Sequence, residues 1–255
     1  MAIVEFDVTD AVATITLNRP PGNALNAELI AAIDAAIGDA EDVAVRAVLI
    51  TGHPHFAFGA DITGFQAAFD TGAQDRQSAG LAAVVARLEA LPKPTIAAVH
   101  GVALGGGLEL AMGADLRFFS DDARVGQPEV LLGLIPGAGG TQRLPRIVGY
   151  QRAKEMCLSG RHVRAEEALA IGLADRVVPS DELLTVAAEA AREFAMGPTA
   201  AYAAVKRAIG GGWDLSQSEG LALEAEQFGE AFATDDARAG VAAFLAKESP
   251  EFLGR

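Results

Sequence analysis

The chain has one cysteine, Cys157, among its 255 residues. No disulfide can form within it, so a fold stapled by cysteine pairs is excluded. Aromatic residues make up only 6%, with a single tryptophan, Trp213. The core must therefore be built from small and aliphatic side chains and closely approaching backbones. Basic residues are also short: 20 Lys and Arg face 34 Asp and Glu, a formal net charge of −14. A surface of that sign repels nucleic acid and anionic lipid, because phosphate binding is driven by basic residues. It still allows a phosphate-bearing small molecule held by a local basic patch or a helix N-terminus. No apolar run reaches the ~20 residues needed to span a bilayer. The N-terminal Met1-Ala-Ile-Val-Glu-Phe-Asp7 lacks the basic-then-apolar pattern of a secretory signal. A cytoplasmic protein with no membrane or nucleic-acid partner is expected.

What is present points to a globular α/β chain. Hydrophobic residues reach 51% and charged ones only 21%, which excludes wholesale disorder. Ile3 to Val8 and Val12 to Leu17 alternate and predict a hairpin. Asn26 is a candidate N-cap for a helix carrying Leu29, Ile30, Ile33 and Ile37. Val45 to Ile50 reads as a buried strand, Gln77 to Leu91 as a helix, and Thr95 to Val99 as a strand. A short helix over Gly106 to Met112 and a strand over Leu116 to Phe119 follow. Strand, glycine-rich turn and short helix thus recur, which predicts stacked βα units with parallel pairing. After Gly139 helical spacing dominates up to Ala246, with one strand at Ala174 to Val178. The expected division is an α/β core over 1–195 and a helical C-terminal region over 196–255.

The chemistry is concentrated in three segments. Gly105-Gly-Gly-Leu-Glu109 places a glycine turn at the start of a helix, where free N–H groups point outward at the positive end. Such donors suit an oxyanion. Glu109 follows one turn later among apolar neighbours, where a carboxylate has a raised pKa. Alone, the same residues also describe a tight turn followed by a solvated glutamate. Gln127-Pro-Glu129 sets a second carboxylate in apolar sequence. Two such groups can divide the addition of water, one taking a proton from water and the other giving one to carbon. Phe58-Gly-Ala-Asp-Ile62 is a loop that could present its main chain to a ligand. No G-x-x-x-x-G-K-[ST] or G-x-G-x-x-G occurs, which excludes the P-loop and dinucleotide readings. His53, His55, His100 and His162 share no metal-ligand spacing. Cys157 reads as a small core residue, and Trp213 as packed between helices.

Taken in order, Pro20-Pro-Gly-Asn-Ala-Leu-Asn26, Phe58 to Ile62, Lys93 to Gly101, Gly105 to Ala111, and Gln127 to Leu144 resemble the crotonase (enoyl-CoA hydratase/isomerase) superfamily. The likeness runs on through Leu158-Ser-Gly160, Ala170 to Leu173 and Phe232 to Asp236. The resemblance implies a spiral of ββα units followed by helices that build a homotrimer, often a dimer of trimers. It implies an acyl-CoA substrate and no cofactor beyond the CoA of that substrate. The N–H groups of Ala60 and Gly106 would form the oxyanion hole, and Glu109 and Glu129 would be the two hydratase glutamates. Ala24, Ala60, Asp61, Ile62, Gly105 and Gly106 would line the substrate site, with the adenine near an Ala60-Asp61-Ile62 strand. Lys247 would meet a CoA phosphate, across a subunit boundary. Thr63 and Glu248 depart from the long or basic residues common at those places. The implied activity is hydration of a trans-2-enoyl-CoA to a 3-hydroxyacyl-CoA in fatty-acid breakdown. Rivals are a Δ3-Δ2 isomerase, which needs only one such carboxylate, other crotonase-like acyl-CoA enzymes, and a non-catalytic binding subunit. Acyl chain length would be set by a pocket wall in the stretch Gly64 to Gly80.

Overall fold

The structure is a computed structural model that describes residues 2–65, 69, 70 and 74–255. Its largest element is a six-stranded sheet in the order β1 (Val4–Thr9), β2 (Val12–Leu17), β3 (Ala47–Gly52), β4 (Thr95–Val99), β6 (Leu116–Ser120) and β9 (Arg176–Val178). The β1–β2 pair is the antiparallel hairpin the alternation predicts; the other pairs are parallel. A second sheet joins β5 (Val102–Leu104), β7 (Arg124–Gly126) and β8 (Val163–Arg164). These short strands are missing from the sequence reading. β4 leads into β5 and then α3 (Gly106–Met112), and β6 leads into β7 and then a 3₁₀ turn over Glu129–Leu132. The repeating unit is therefore ββα rather than βα. Strands of two or three residues carry too little alternation to be seen in sequence.

Side-chain period explains the layering. In the three parallel core strands Ala13, Ile15, Leu17, Val48, Ile50, Ala97 and Val99 face one way. They pack with Leu29, Ile33 and Ile37 of α1 (Ala27–Asp39) and Val84, Val85 and Leu88 of α2 (Gln74–Ala90). Val12, Ala47, Leu49, Ile96 and Ala98, the alternate set, face α7 (Leu183–Ala195) through Leu183, Ala187, Ala190 and Ala191. The central strands are thus apolar on both faces, as covered parallel strands must be. Each fully buried Leu or Ile contributes about 1.5–3 kcal/mol. Asn26 caps α1, its Oδ1 accepting from Leu29 N at 2.9 Å.

Lys93 crosses the core edge with Nζ donating to the carbonyls of Ala40, Asp42 and Val45 at 2.8–2.9 Å. Burial lowers its pKa, and the three carbonyls replace its lost water.

The remaining helices among the described residues include α3 (Gly106–Met112), α4 (Gly140–Val148), α5 (Tyr150–Ser159), α6 (Ala165–Ala170), α8 (Thr199–Gly212), α9 (Gln217–Phe232) and α10 (Asp235–Ala246). Arg46 ties the C-terminal segment to the sheet, donating to Thr199 Oγ1, Gly197 O and Phe252 O. The C-terminal helices carry apolar side chains in the open: Ile209 65%, Phe228 67%, Phe232 66% and Phe244 82% exposed. Trp213, expected between helices, is 60% exposed on this same surface. No helix among the described residues is long and apolar enough to cross a membrane.

Candidate active site

The site is organised at the start of α3. Gly105, just before the helix, has φ +51°, a conformation that disfavours any side chain. A Cβ there would also stand 2.9 Å from Oε1 of Glu129. Gly105 therefore provides the turn and the room for a carboxylate against the main chain. Gly106 is the first residue of the helix, so its N–H has no acceptor one turn back.

Ala60 supplies a second free N–H. Leu25 N donates to Gly59 O at 2.7 Å and Asp61 N to Leu25 O at 3.0 Å. These two bonds use the groups on either side of Ala60, whose own N–H has no partner among the described residues. A Cβ built on Gly106 would lie 3.7 Å from Ala60 N. The two unsatisfied donors thus sit on adjacent backbones, one from a loop edge and one from a helix start.

Arg19 holds the Ala60 loop to the preceding one. Its Nη1 donates to Ala24 O and its Nη2 to Asp61 Oδ2, both at 2.8 Å. Thr63, through its hydroxyl and N–H, and Arg19 hold the Asp61 carboxyl below the ordinary range. Asp61 is therefore a strut between loops. Residues Ile62–Gly64 form a 3₁₀ turn rather than the strand expected there, and Ile62 is 53% exposed. The turn follows from Asp61, whose side chain caps Thr63 N and so competes with strand pairing.

Glu109 is 3% exposed. Its Oε1 accepts from Ala138 N and Gly140 N, both at 2.7 Å. Gly140 opens α4, so a free helix-start N–H is one of the two donors. A Cβ at Gly140 would stand 3.0 Å from that oxygen. Burial pushes Glu109 above the ordinary carboxylate range, while the N–H groups of Gly140 and Ala138 and the charge of Arg143 pull it back. Oε1 is fixed by these donors; Oε2 has no partner among the described residues.

Glu129 begins a 3₁₀ turn over Glu129–Leu132. Burial, reinforced by the charge of Glu109, pushes its pKa up to about 7. The carboxyl is thus poised to gain or lose a proton near neutrality. Gln127, fully buried, lies beside it. With its amide nitrogen toward Glu129 it donates to Oε1 at 2.9 Å and Oε2 at 3.1 Å. The opposite placement leaves the amide oxygen facing only acceptors and the nitrogen only donors. Cys157 on α5 is half-buried, and burial and the two glutamates raise its thiol pKa. That environment disfavours a thiolate nucleophile.

The fold therefore gathers Ala60, Gly105, Gly106, Glu109 and Glu129 around one place, with Ala24 and Asp61 linked beside it through Arg19. Lys247 is elsewhere in the chain's own fold. It caps α10 with φ +59°, and no hydrogen bond or ion pair among the described residues joins it to the glutamates. Arg19, Gln127 and the N–H groups of Ala138 and Gly140 are the partners that sequence reasoning left without roles. The one available signal was the glycine run before α4, which marks unsatisfied donors at a helix start. The stretch Gly64 to Gly80, the expected pocket wall, lies partly outside the described residues.

Comparison with known proteins settles the lineage. The family model described as enoyl-CoA hydratase/isomerase matches residues 7–255. The chain belongs to this family. It is 42% identical over 246 residues to a short-chain-enoyl-CoA hydratase from Clostridium acetobutylicum, covering 94% of this chain and 93% of the relative. It is 40% identical over 251 residues to a crotonyl-CoA hydratase from Syntrophomonas wolfei, covering 96% of each. A crystal structure of an enoyl-CoA hydratase from Geobacillus kaustophilus superposes with a TM-score of 0.95 at 34% identity, over 100% of this chain and 98% of that one. The α/β spiral expected from the motifs is thus the fold of this family member.

Proposed function

We propose that the protein is an enoyl-CoA hydratase that adds water across the double bond of a trans-2-enoyl-CoA. The observation that carries this is the pairing of Glu109 and Glu129, both raised above ordinary carboxylates, with the free N–H groups of Ala60 and Gly106 on adjacent backbones. In this reading the two N–H groups bind the thioester oxygen and make C3 electrophilic. Glu109 Oε2 takes a proton from water as its oxygen bonds to C3. Glu129 gives its proton to C2 as the enolate charge collapses. The donors bind most strongly to the charge that develops in the transition state, where binding lowers the barrier. CoA enters as part of the substrate, and no other cofactor is used.

The pocket edge formed by Ala24, Asp61 and Ile62 would receive the CoA moiety, and Lys247 its phosphate from a neighbouring subunit. The open apolar surface of α8, α9 and α10 supports region 196–255 as the oligomerising part, giving a trimer or a dimer of trimers. Two carboxylates favour hydration over isomerisation, which needs one. The test is loss of the conjugated absorbance of crotonyl-CoA and longer 2-enoyl-CoA thioesters. Hydration of at least one chain length is expected, and none on any would overturn the proposal.

A further inference from the structure

The buried amide of Gln127 has no part in the mechanism above, yet it meets a reacting carboxylate. It is fully buried, and its nitrogen reaches both oxygens of Glu129 at 2.9 and 3.1 Å. On its other side the amide lies against Gly140: a Cβ there would stand 3.0 Å from it and 3.0 Å from Oε1 of Glu109. The Gln127 amide therefore occupies the space between the two glutamates' supports. Glu129 in turn is pressed against Gly105. Main chain on one side and an amide on the other leave its carboxylate little freedom to rotate.

We infer that Gln127 is a positioning residue for Glu129, holding its carboxylate at Gly105 and stabilising the negative charge left there once the proton has gone to C2. The inference rests on the hydratase reading. A donor bonded to both oxygens favours the ionised form, so it opposes the rise that burial imposes. That matters for a reversible addition. Hydration needs Glu129 protonated at the start, and dehydration needs it ionised. A carboxyl held near neutrality serves both directions. Gln suits the place because its amide donates while carrying no charge of its own, whereas a Lys would pin Glu129 permanently ionised. The titrating group that influences Glu129 is Glu109 from α3, and the thiol of Cys157 from α5 lies within reach of the charge of both glutamates. Removing a neutral amide leaves both unchanged.

The experiment compares wild type with Gln127→Leu and Gln127→Met, which fill similar space without a donor. Crotonyl-CoA hydration is followed from pH 5 to 9. The account expects kcat to fall about tenfold with KM changed by less than about threefold, as for a group acting through the transition state. It also expects the alkaline limb of kcat/KM to move up by about one pH unit, since Glu129 loses the amide donor to its charged form. A lower melting temperature with the alkaline limb unmoved would mark Gln127 as mere packing and overturn the inference. If both variants fail to fold, Gln127→Asn, whose shortened amide withdraws from the carboxylate, is read the same way. Wild type inactive on every enoyl-CoA would instead remove the hydratase reading itself.

Discussion

Glu109 and Glu129 belong to two differently built regions. Glu109 sits in the middle of α3, 3% exposed, with one oxygen fixed by the main-chain N–H groups of Ala138 and Gly140. Glu129 opens a 3₁₀ turn, is half-buried, and is held by the side-chain amide of Gln127 together with its own backbone N–H. Main-chain donors cannot swing away, so Glu109 presents one fixed oxygen and one free. That suits a base which must orient water. The Glu129 carboxyl, with its pKa of about 7, can carry a proton at neutral pH. That suits an acid. One α/β frame thus makes a rigid base and a tunable acid from the same residue type.

The contrast can be broken by mutation. Glu109→Gln and Glu129→Gln should each reduce kcat for hydration by about 10²–10⁴-fold while changing KM far less, because both groups act in the transition state. An equal rise in KM would place them in binding instead.

The glycines that make room for the two carboxylates should separate the regions next. Gly105→Ala puts a Cβ at positive φ and 2.9 Å from Glu129, and Gly140→Ala puts one 3.0 Å from Glu109. Each is expected to lower kcat by about 10–100-fold, the first also costing roughly 1 kcal/mol of stability from backbone strain. Chemical denaturation alongside steady-state kinetics reads both effects. Wild-type kinetics in either variant would mean the carboxylate is not held where the structure puts it.

The pH dependence sharpens the comparison further. Hydration uses protonated Glu129, so kcat/KM in that direction should fall as pH rises through about 7. Dehydration of the 3-hydroxyacyl-CoA uses the same singly protonated pair with the proton on Glu109, and the overall addition takes up no proton, so its kcat/KM should fall through the same pH. A hydration profile flat through pH 7 would contradict the assignment.

The smallest effect is on stability. The folded-state pKa of Glu129 is raised from 4.5 to about 7. The fold therefore favours the protonated form, and that contribution is complete below pH 4.5 and lost as pH rises through 7. Replacing the group by a neutral amide should thus raise the melting temperature of Glu129→Gln above pH 7, by about 2–4 °C once partial exposure is discounted. No difference is expected near pH 4. Differential scanning calorimetry at the two pH values checks this.

Much of this arrangement could be read from sequence, for identifiable reasons. Val12–Leu17, Thr95–Val99, Gly106–Met112 and Leu183–Ala195 appear with the predicted bounds. Their alternation, flanking prolines and glycines, or amphipathic spacing were unambiguous. Glu109 and Glu129 stand out as carboxylates in apolar sequence, a signal that alone also fits a solvated residue, and their roles come from the ordered resemblance to the crotonase superfamily. The second sheet was not visible, since β5, β7 and β8 span only two or three residues and pair at long range. Gln127 could be quoted from a motif but not given a role, and Arg19 lies just outside the motif that begins at Pro20. Their meaning depends on what lies opposite, Glu129 for one and the Ala24 and Asp61 loops for the other. Trp213, expected between helices, is exposed, because apolar character in sequence does not say whether the chain's own fold covers the side chain.

The division of labour between the two carboxylates can be tested most directly by separating proton transfer at C2 from attack by water. Butyryl-CoA has no double bond to hydrate, but its C2 hydrogen can exchange with D₂O if Glu129 and the oxyanion donors are in place. NMR of that exchange in Glu109→Gln and Glu129→Gln should show it retained in the first and lost in the second. Exchange lost in Glu109→Gln and kept in Glu129→Gln would reverse the roles assigned here and contradict the account.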